Sequence, residues 1–351
     1  LKLGNITNAK DGFDIAASGV EYRSASYTEL AKIYFLNKEE NKAMEYAQKS
    51  LLNNQYNIES LQLMAVIYRL QKNVNTATVI LNKINAIDLL NHFVRFEKYY
   101  RDGQEQSKAI FKSAIQSELP QQTFLELAIW YYRLNCKDEA IKVLSIAEPN
   151  TEVIYWNAFL QNKPVDVNNI KTATDFPFRA ETAEVLQSLI ENNNLWLLKY
   201  HLALIEWNRN NIARAKELFI GCGNLPADPN FYAARAALLN DNSTSVVSDL
   251  QQAIKLDTEQ WRYSKLLAEH FIIQKEYDKA LGIAESFYTT HPDNYIIGML
   301  YAKTLLLNKK YTVADAFLSK LNILPFEGAT IGRQLYHEAK LMQAIAEIKK
   351  K

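Results

Sequence analysis

Glycine and proline are scarce, ten and eight residues in a chain of 351, where glycine alone averages about 7% of a typical protein. A fold of many short strands needs tight turns, and tight turns draw on those two residues. An all-β architecture is therefore excluded at the outset. Cysteine is scarcer still. Cys136 and Cys222 lie far apart and form no C-x-x-C pair, which removes a disulfide framework and a thiolate zinc site and leaves two buried thiols as the expectation. Long apolar runs are missing too: Thr304–Leu307 and His270–Ile273 are among the longest, against the roughly 18 residues of a membrane-spanning helix. Net charge is nearly zero, with 40 Lys and Arg against 39 Asp and Glu. No global basic field points to nucleic acid, and no acidic tail is present. Leu1 opens neither a signal peptide nor an initiator Met, so the sequence carries no address; the expectation is a soluble protein, with the cytoplasm favoured over export.

What the chain has in excess is tyrosine, 20 residues, and a repeat. Ala31 recurs as Ala65, Tyr34 as Tyr68 and Ala43 as Ala77, each 34 residues on. Ala9 extends that register backwards, and Val246, Ala280 and Ala314 hold the same step near the other end, as do Ala268 and Ala302. A fixed period of this length marks a stacked-repeat architecture. Within each period, apolar and small residues recur at steps of three and four, the spacing of amphipathic helices, and polar runs such as Asn37–Asn41 and Asn135–Glu139 separate one helix from the next. The small residues let two helix backbones approach closely while neighbouring Tyr and Leu fill the groove.

This pattern resembles the tetratricopeptide repeat, seen in Leu127-Ala128, Tyr131, Ala140, Leu144 and Ala147, and again in Leu267-Ala268, Phe271, Ala280 and Pro292. The resemblance implies an all-α fold, a right-handed superhelix of antiparallel helix pairs with an irregular central insertion. Residues 1–150 are expected to form a first array that begins in mid-repeat, 151–195 a helical connector, 196–325 a second array and 326–351 a capping helix. The start in mid-repeat suggests a piece of a longer protein, because a half-hairpin cannot bury its apolar stripe alone. In the third repeat Glu97 stands where its neighbours carry a small residue. The non-repeating segments, among them "FPFRAETAEVL" and "LPFEGATIGRQLYHEA", give a narrower resemblance, to the C-terminal repeat region of large bacterial proteins whose N-terminal domain is β-rich and of unknown function. That resemblance implies a carbohydrate-metabolism context and no catalytic residue in this chain.

No enzyme motif is present. His92, His201, His270, His291 and His337 show no H-x-x-x-H spacing, so no metal site is expected. Gly221–Pro226 superficially suggests a phosphate loop but lacks the Lys-Ser/Thr and reads better as a helix C-cap. Arg179 and Glu327, from the two Pro-Phe segments, form at most an isolated pair, where catalysis needs a convergent constellation. The chain is read as non-enzymatic, without a cofactor. In "LPFEGAT", Pro325 is expected to close the last repeat, Phe326 to plug its groove, Gly328 to turn the chain and Thr330 to cap the final helix.

Repeat solenoids bind along the concave face, lined by the first helix of each unit. Inward positions of the second to fourth repeats include Arg69, Asn91, Arg95, Lys98, Arg101, Gln122, Tyr132 and Arg133. Guanidinium groups suit carboxylates through paired hydrogen bonds, so an acidic protein or peptide, or the chain's own N-terminal β-rich domain, is the expected partner. The competing reading is a solvated face neutralised by Glu97, Glu126 and Asp102. Thr28, Lys32 and Leu63 do not reproduce the clamp by which some tetratricopeptide domains hold chaperone C-termini. Tyr200, His201 and Trp207 form a second candidate, an aromatic patch able to stack on a sugar. A protein-interaction scaffold is therefore the leading expectation, and an accessory region of a carbohydrate-binding or carbohydrate-processing protein the alternative.

Overall fold

The structure is a computed structural model that describes residues 5–172, 174–224, 226–240, 243–321 and 329–349. These residues form twenty α-helices and one short 3-10 turn, with no strand among them. The chain divides into two compact units, residues 1–193 and 194–351.

In the first unit, α1 (Ile6–Ala16) packs on α2 (Val20–Leu36), and four helix pairs follow: α2 with α3 (Glu40–Asn53), α4 (Ile58–Leu70) with α5 (Val74–Ile87), α6 (His92–Asp102) with α7 (Glu105–Ser113), and α8 (Pro120–Arg133) with α9 (Lys137–Leu144). Two further helices, α10 (Thr151–Gln161) and α11 (Ala180–Asn192), complete it. The second unit contains α12 (Trp196–Asn208) with α13 (Ile212–Gly221), α14 (Pro229–Leu238) with α15 (Ser243–Leu256), α16 (Trp261–Ile273) with α17 (Tyr277–Thr290), and α18 (Tyr295–Leu307) with α19 (Tyr311–Leu318), closed by α20 (Ala329–Ile348). Within each unit consecutive helices pair, and first helices of successive pairs touch, as α2 touches α4 and α16 touches α18.

The small residues of the period sit where backbones cross. Ala31, Ala65, Ala128, Ala203, Ala268 and Ala302 on first helices are all buried, as are Ala43, Ala77, Ala140, Ala215, Ala280 and Ala314 on second helices. At such a crossing an added side chain has no room. Where α2, α3 and α4 meet, the core is polar instead. The Asn57 side chain caps α4 by accepting from Ser60 N, while its amide donates to the hydroxyls of Ser24, Thr28 and Ser50. Thr28, Ser50 and Ser60 are buried and Ser24 and Asn57 half-buried; each has a partner, so the polarity is tolerated.

The turns inside the pairs explain how so little glycine suffices. Lys38, Lys72, Asn135, Asn210, Lys275 and Lys309 all adopt φ between 59° and 63°. In each case the next backbone N–H donates back to the helix, as Asn73 N does to Tyr68 O at 2.9 Å and Lys310 N to Leu305 O at 2.9 Å. This is the Schellman ending that glycine normally supplies; among the described residues of these turns, glycine takes a positive φ only at Gly103 between α6 and α7, φ 64°. A non-glycine residue pays about 1–2 kcal/mol for the left-handed conformation, partly offset because glycine is freer in the unfolded chain. Lys72→Gly is therefore expected to stabilise the protein by about 0.5–1 kcal/mol, read as a raised unfolding midpoint in urea; an unchanged or lowered midpoint contradicts the strain argument.

At the C-terminal end, Leu335 and Ala339 of α20 are buried with Ala302, Leu305 and Leu318. Pro325, Phe326, Glu327 and Gly328, and the side chain of Thr330, lie outside the described residues.

Candidate partner-binding surface

Arg69, expected on an open face, is instead the centre of a buried ionic cluster. Its Nη2 donates to Glu139 Oε1 on α9 at 2.7 Å, and its Nε lies 3.0 Å from Glu97 Oε2 on α6 in ion-pair contact. The guanidinium stacks 4.9 Å over the Tyr100 ring, and Tyr131 on α8 donates its hydroxyl to Glu97 Oε1 at 2.6 Å. Glu97 is 1% exposed. Here the departure from the repeat is accommodated: a carboxylate in an alanine position is met by an arginine from the preceding repeat and a tyrosine from the next. Burial pushes the Glu97 carboxyl up, against the pull of Arg69 and the Tyr131 hydroxyl. Burial also opposes the Arg69 charge, but Glu97 and Glu139 together hold it above its ordinary range. One cation serves two carboxylates.

The polar side chains of α6 and its cap divide into those that hold the local fold and exposed cations without an ion-pair partner. Asn91 is the N-cap of α6, accepting from Val94 N at 3.3 Å and donating to Asp88. Arg95 donates to the carbonyls of Leu90 and Leu89 at 2.7 and 2.8 Å, pinning the loop before its own helix. Arg101 donates to Thr78 Oγ1 at 2.5 Å. Lys98 and Arg101 are both exposed, and neither forms an ion pair with a described residue.

The expected α8 positions Gln122 and Arg133 are tied by side-chain bonds to the chain's own α10 and to the start of α11. After α10 the chain crosses back: Asp175 accepts from Thr151 N at 2.6 Å, at the first residue of α10. Thr182 then donates to Glu152 at 2.9 Å and accepts from Trp156 Nε1 at 3.1 Å. Farther along, Ser188, Leu189, Asn192 and Asn193 share a cleft with Phe159 and Asn162 at the end of α10. The start of α11 thus lies by the first half of α10 and its end by the end of α10, so the two run parallel. The helical connector is a crossover, and a hairpin would have run the other way. On α8, Gln122 donates to Glu152 at 2.7 Å and accepts from Arg179 Nε, Arg179 donates to Glu126 at 2.7 Å, and Arg133 donates to Glu181 at 2.7 Å. Gln122 and Arg133 are consequently tied to the chain itself, and Arg179 is a local clamp. Tyr132 keeps 36% exposure.

In the second unit the aromatic patch is corrected to core. Tyr200 is 1% exposed and His201 0%; Tyr200 packs against Phe219 and Phe231 at centroid distances of 5.8 and 5.4 Å. The α14 helix brings Phe231 onto the face expected to be open. Trp207, half-buried, stands edge-on to Phe219 at 6.4 Å. Burial pushes the His201 imidazole down to about 3. Sequence reasoning missed Arg235, which forks onto Asp249 at 2.8 and 2.6 Å and donates to Gly223 O at 2.6 Å. That bond anchors the loop after α13, where Gly223 rather than Gly221 takes positive φ, 67°.

Both cysteines are buried, and burial pushes both thiols up to about 12. Among the described residues no cluster of His, Cys, Asp and Glu could hold a metal ion, and no helix is long and apolar enough to cross a membrane.

Several solved structures are similar to parts or most of the chain. MamA matches 60% of this chain over its whole length at 12% identity and a TM-score of 0.35. The Cut9–Hcn1 hetero-tetramer of APC/C matches 90% of this chain and 63% of its own at 15% identity and 0.37. A tetratricopeptide repeat protein from Parabacteroides merdae matches 91% and 99% at 13% identity and 0.31. No protein-family model and no curated protein matches the chain. All three scores are below 0.5, so the architecture rests on the helix contacts of the chain itself.

Proposed function

We propose that the chain is a protein-interaction scaffold and that the exposed face of α6 in the first unit takes an acidic segment of a protein partner. The observation that carries this reading is the exposed charge of Lys98 and Arg101, which form no ion pair with a described residue, although Arg101 also donates to Thr78 and both bear on the neighbouring Asp102 carboxylate. Elsewhere in the expected stripe, Arg69 and Arg133 are paired with carboxylates and Gln122 is held by Glu152 and Arg179. Exposed cations without an ion-pair partner gain by meeting carboxylates, and steer an acidic partner more than they bind it. The partner could be another protein or an acidic stretch of an adjoining β-rich domain. The carbohydrate reading loses Tyr200 and His201 to the core and is not favoured.

The test is a titration of a fluorescein-labelled Asp/Glu-rich dodecapeptide. Lys98→Glu with Arg101→Glu is expected to weaken binding at least tenfold, to abolish most of its salt dependence, and to leave the unfolding midpoint unchanged. Equal affinity for the wild type and the double variant overturns the assignment.

A further inference from the structure

The crossover leaves an open cleft of about 640 Å³ where the ends of α8, α10 and α11 meet, a volume in the range of small-ligand sites. Its walls differ in chemistry. Tyr132 and Phe159 form an apolar side, and the Tyr132 ring is braced edge-on by Trp156 at 5.6 Å and by Phe159 at 5.5 Å. A partly exposed ring held in place offers contact area at little entropic cost. Lys137, Asn162, Lys163 and Asn192 supply the polar side.

Among the described residues no carboxylate lines this cleft, although acidic and basic residues are almost equal in number along the chain. Burial raises the Tyr132 hydroxyl, and Glu184 of α11 is near enough to add to that rise from outside the cleft. Lys163 donates to Gln161 Oε1 at 2.6 Å, and neither Lys163 nor Lys137 is ion-paired with a described residue. The Asn162 amide offers both a donor and an acceptor, the complement of a peptide group. Asn192 spends its amide N–H on Ser188 O at 3.3 Å within its own helix turn, which leaves its carbonyl oxygen as an acceptor. Two ammonium groups, amide partners and a fixed aromatic side together select a carboxylate carried on a peptide with an apolar side chain beside it.

We propose that this cleft binds the free C-terminal end of a peptide, its carboxylate held by Lys137 and Lys163 and its last apolar side chain against Tyr132 and Phe159. The site is separate from α6 and stands or falls independently of the reading given for Lys98 and Arg101.

The experiment is fluorescence polarisation on the full chain, with a labelled hexapeptide pool randomised at its first four positions and ending in Leu or Phe. One pool carries a free C-terminal carboxylate, a second is C-terminally amidated, and a third is amidated with Asp at the fifth position. Binding of the free pool, at least tenfold weaker for both amidated pools and for Lys137→Glu with Lys163→Glu, supports the site. The Lys98→Glu, Arg101→Glu variant is expected to bind the free pool unchanged, and an unchanged unfolding midpoint shows that the cleft variant is folded. Binding of the Asp pool equal to that of the free pool assigns the carboxylate to a side chain and overturns the proposal. So does indifference to amidation or to charge reversal, or absence of binding by the free pool at millimolar concentration.

Discussion

Replacing Arg69 with methionine is expected to destabilise the first unit by about 3–5 kcal/mol at neutral pH, the cost of stranding buried charge. Arg69 is the cation shared by Glu97 and Glu139, and Glu97 is almost wholly buried. Methionine fills much of the same volume, so the loss reports charge more than packing. The deficit should depend on pH in a defined direction. Burial already raises the Glu97 carboxyl in the folded protein, and without Arg69 it rises further. A carboxyl raised above its unfolded value favours the folded state when protonated, and that stability is lost as pH rises through the folded pKa. The gap between Arg69→Met and wild type should therefore shrink from pH 8 to pH 5 in urea unfolding curves. Adding Glu97→Ala, which restores the small residue that other repeats carry at this position, should recover part of the loss. A deficit below about 1 kcal/mol, the scale of an exposed ion pair, would show that the cluster is solvated.

Acid should destabilise the second unit through His201. The imidazole is fully buried and held down to about 3 by that burial, whereas an unfolded histidine titrates near 6.5. Between those values the unfolded chain binds the proton and the folded chain does not. Stability is thus full above pH 6.5 and falls as pH drops toward 3. By pH 4 the loss attributable to this one group is about 3 kcal/mol. His201→Gln keeps a hydrogen-bonding side chain and removes the titration. Its unfolding free energy, followed by the fluorescence of Trp196 and Trp207, should change less between pH 7 and pH 4 than that of the wild type, by about that amount. Parallel pH profiles for the two proteins would place the acid sensitivity elsewhere.

Much of the architecture was legible because a close helix crossing leaves a simple trace, a small residue at a fixed period. Ala31, Ala65, Ala268 and Ala302 announce first helices, and all four are buried. Glu97 was legible as a departure from that period. Its compensation was not, because Arg69, Tyr131 and Glu139 come from three other helices and no local pattern links them. Side-chain exposure was the weakest reading. A helical register places Tyr200 on a face but does not say that Phe231 of α14 will cover it. The register likewise marked Gln122 and Arg133 as inward without showing that the chain would return to meet them. That return is encoded by an exception: after Asn162, at φ 49°, no helix-length amphipathic pattern precedes Arg179, so the partner helix of a hairpin is missing and α11 comes back parallel to α10. The left-handed lysines were equally hidden, since lysine carries no propensity for that conformation and the hairpin geometry imposes it.

The central claim is that α11 lies parallel to α10 and that its start ties side chains of α8 back to the chain itself. Photo-crosslinking from position 132, with benzoylphenylalanine in place of Tyr132, tests it most directly, because that side chain shares a cleft with Ser188, Leu189 and Asn192. Mass spectrometry should find intramolecular adducts on the last turns of α11, residues 184–193, as well as on residues 158–164. Adducts confined to α9 and α10, with none on α11, would contradict the account.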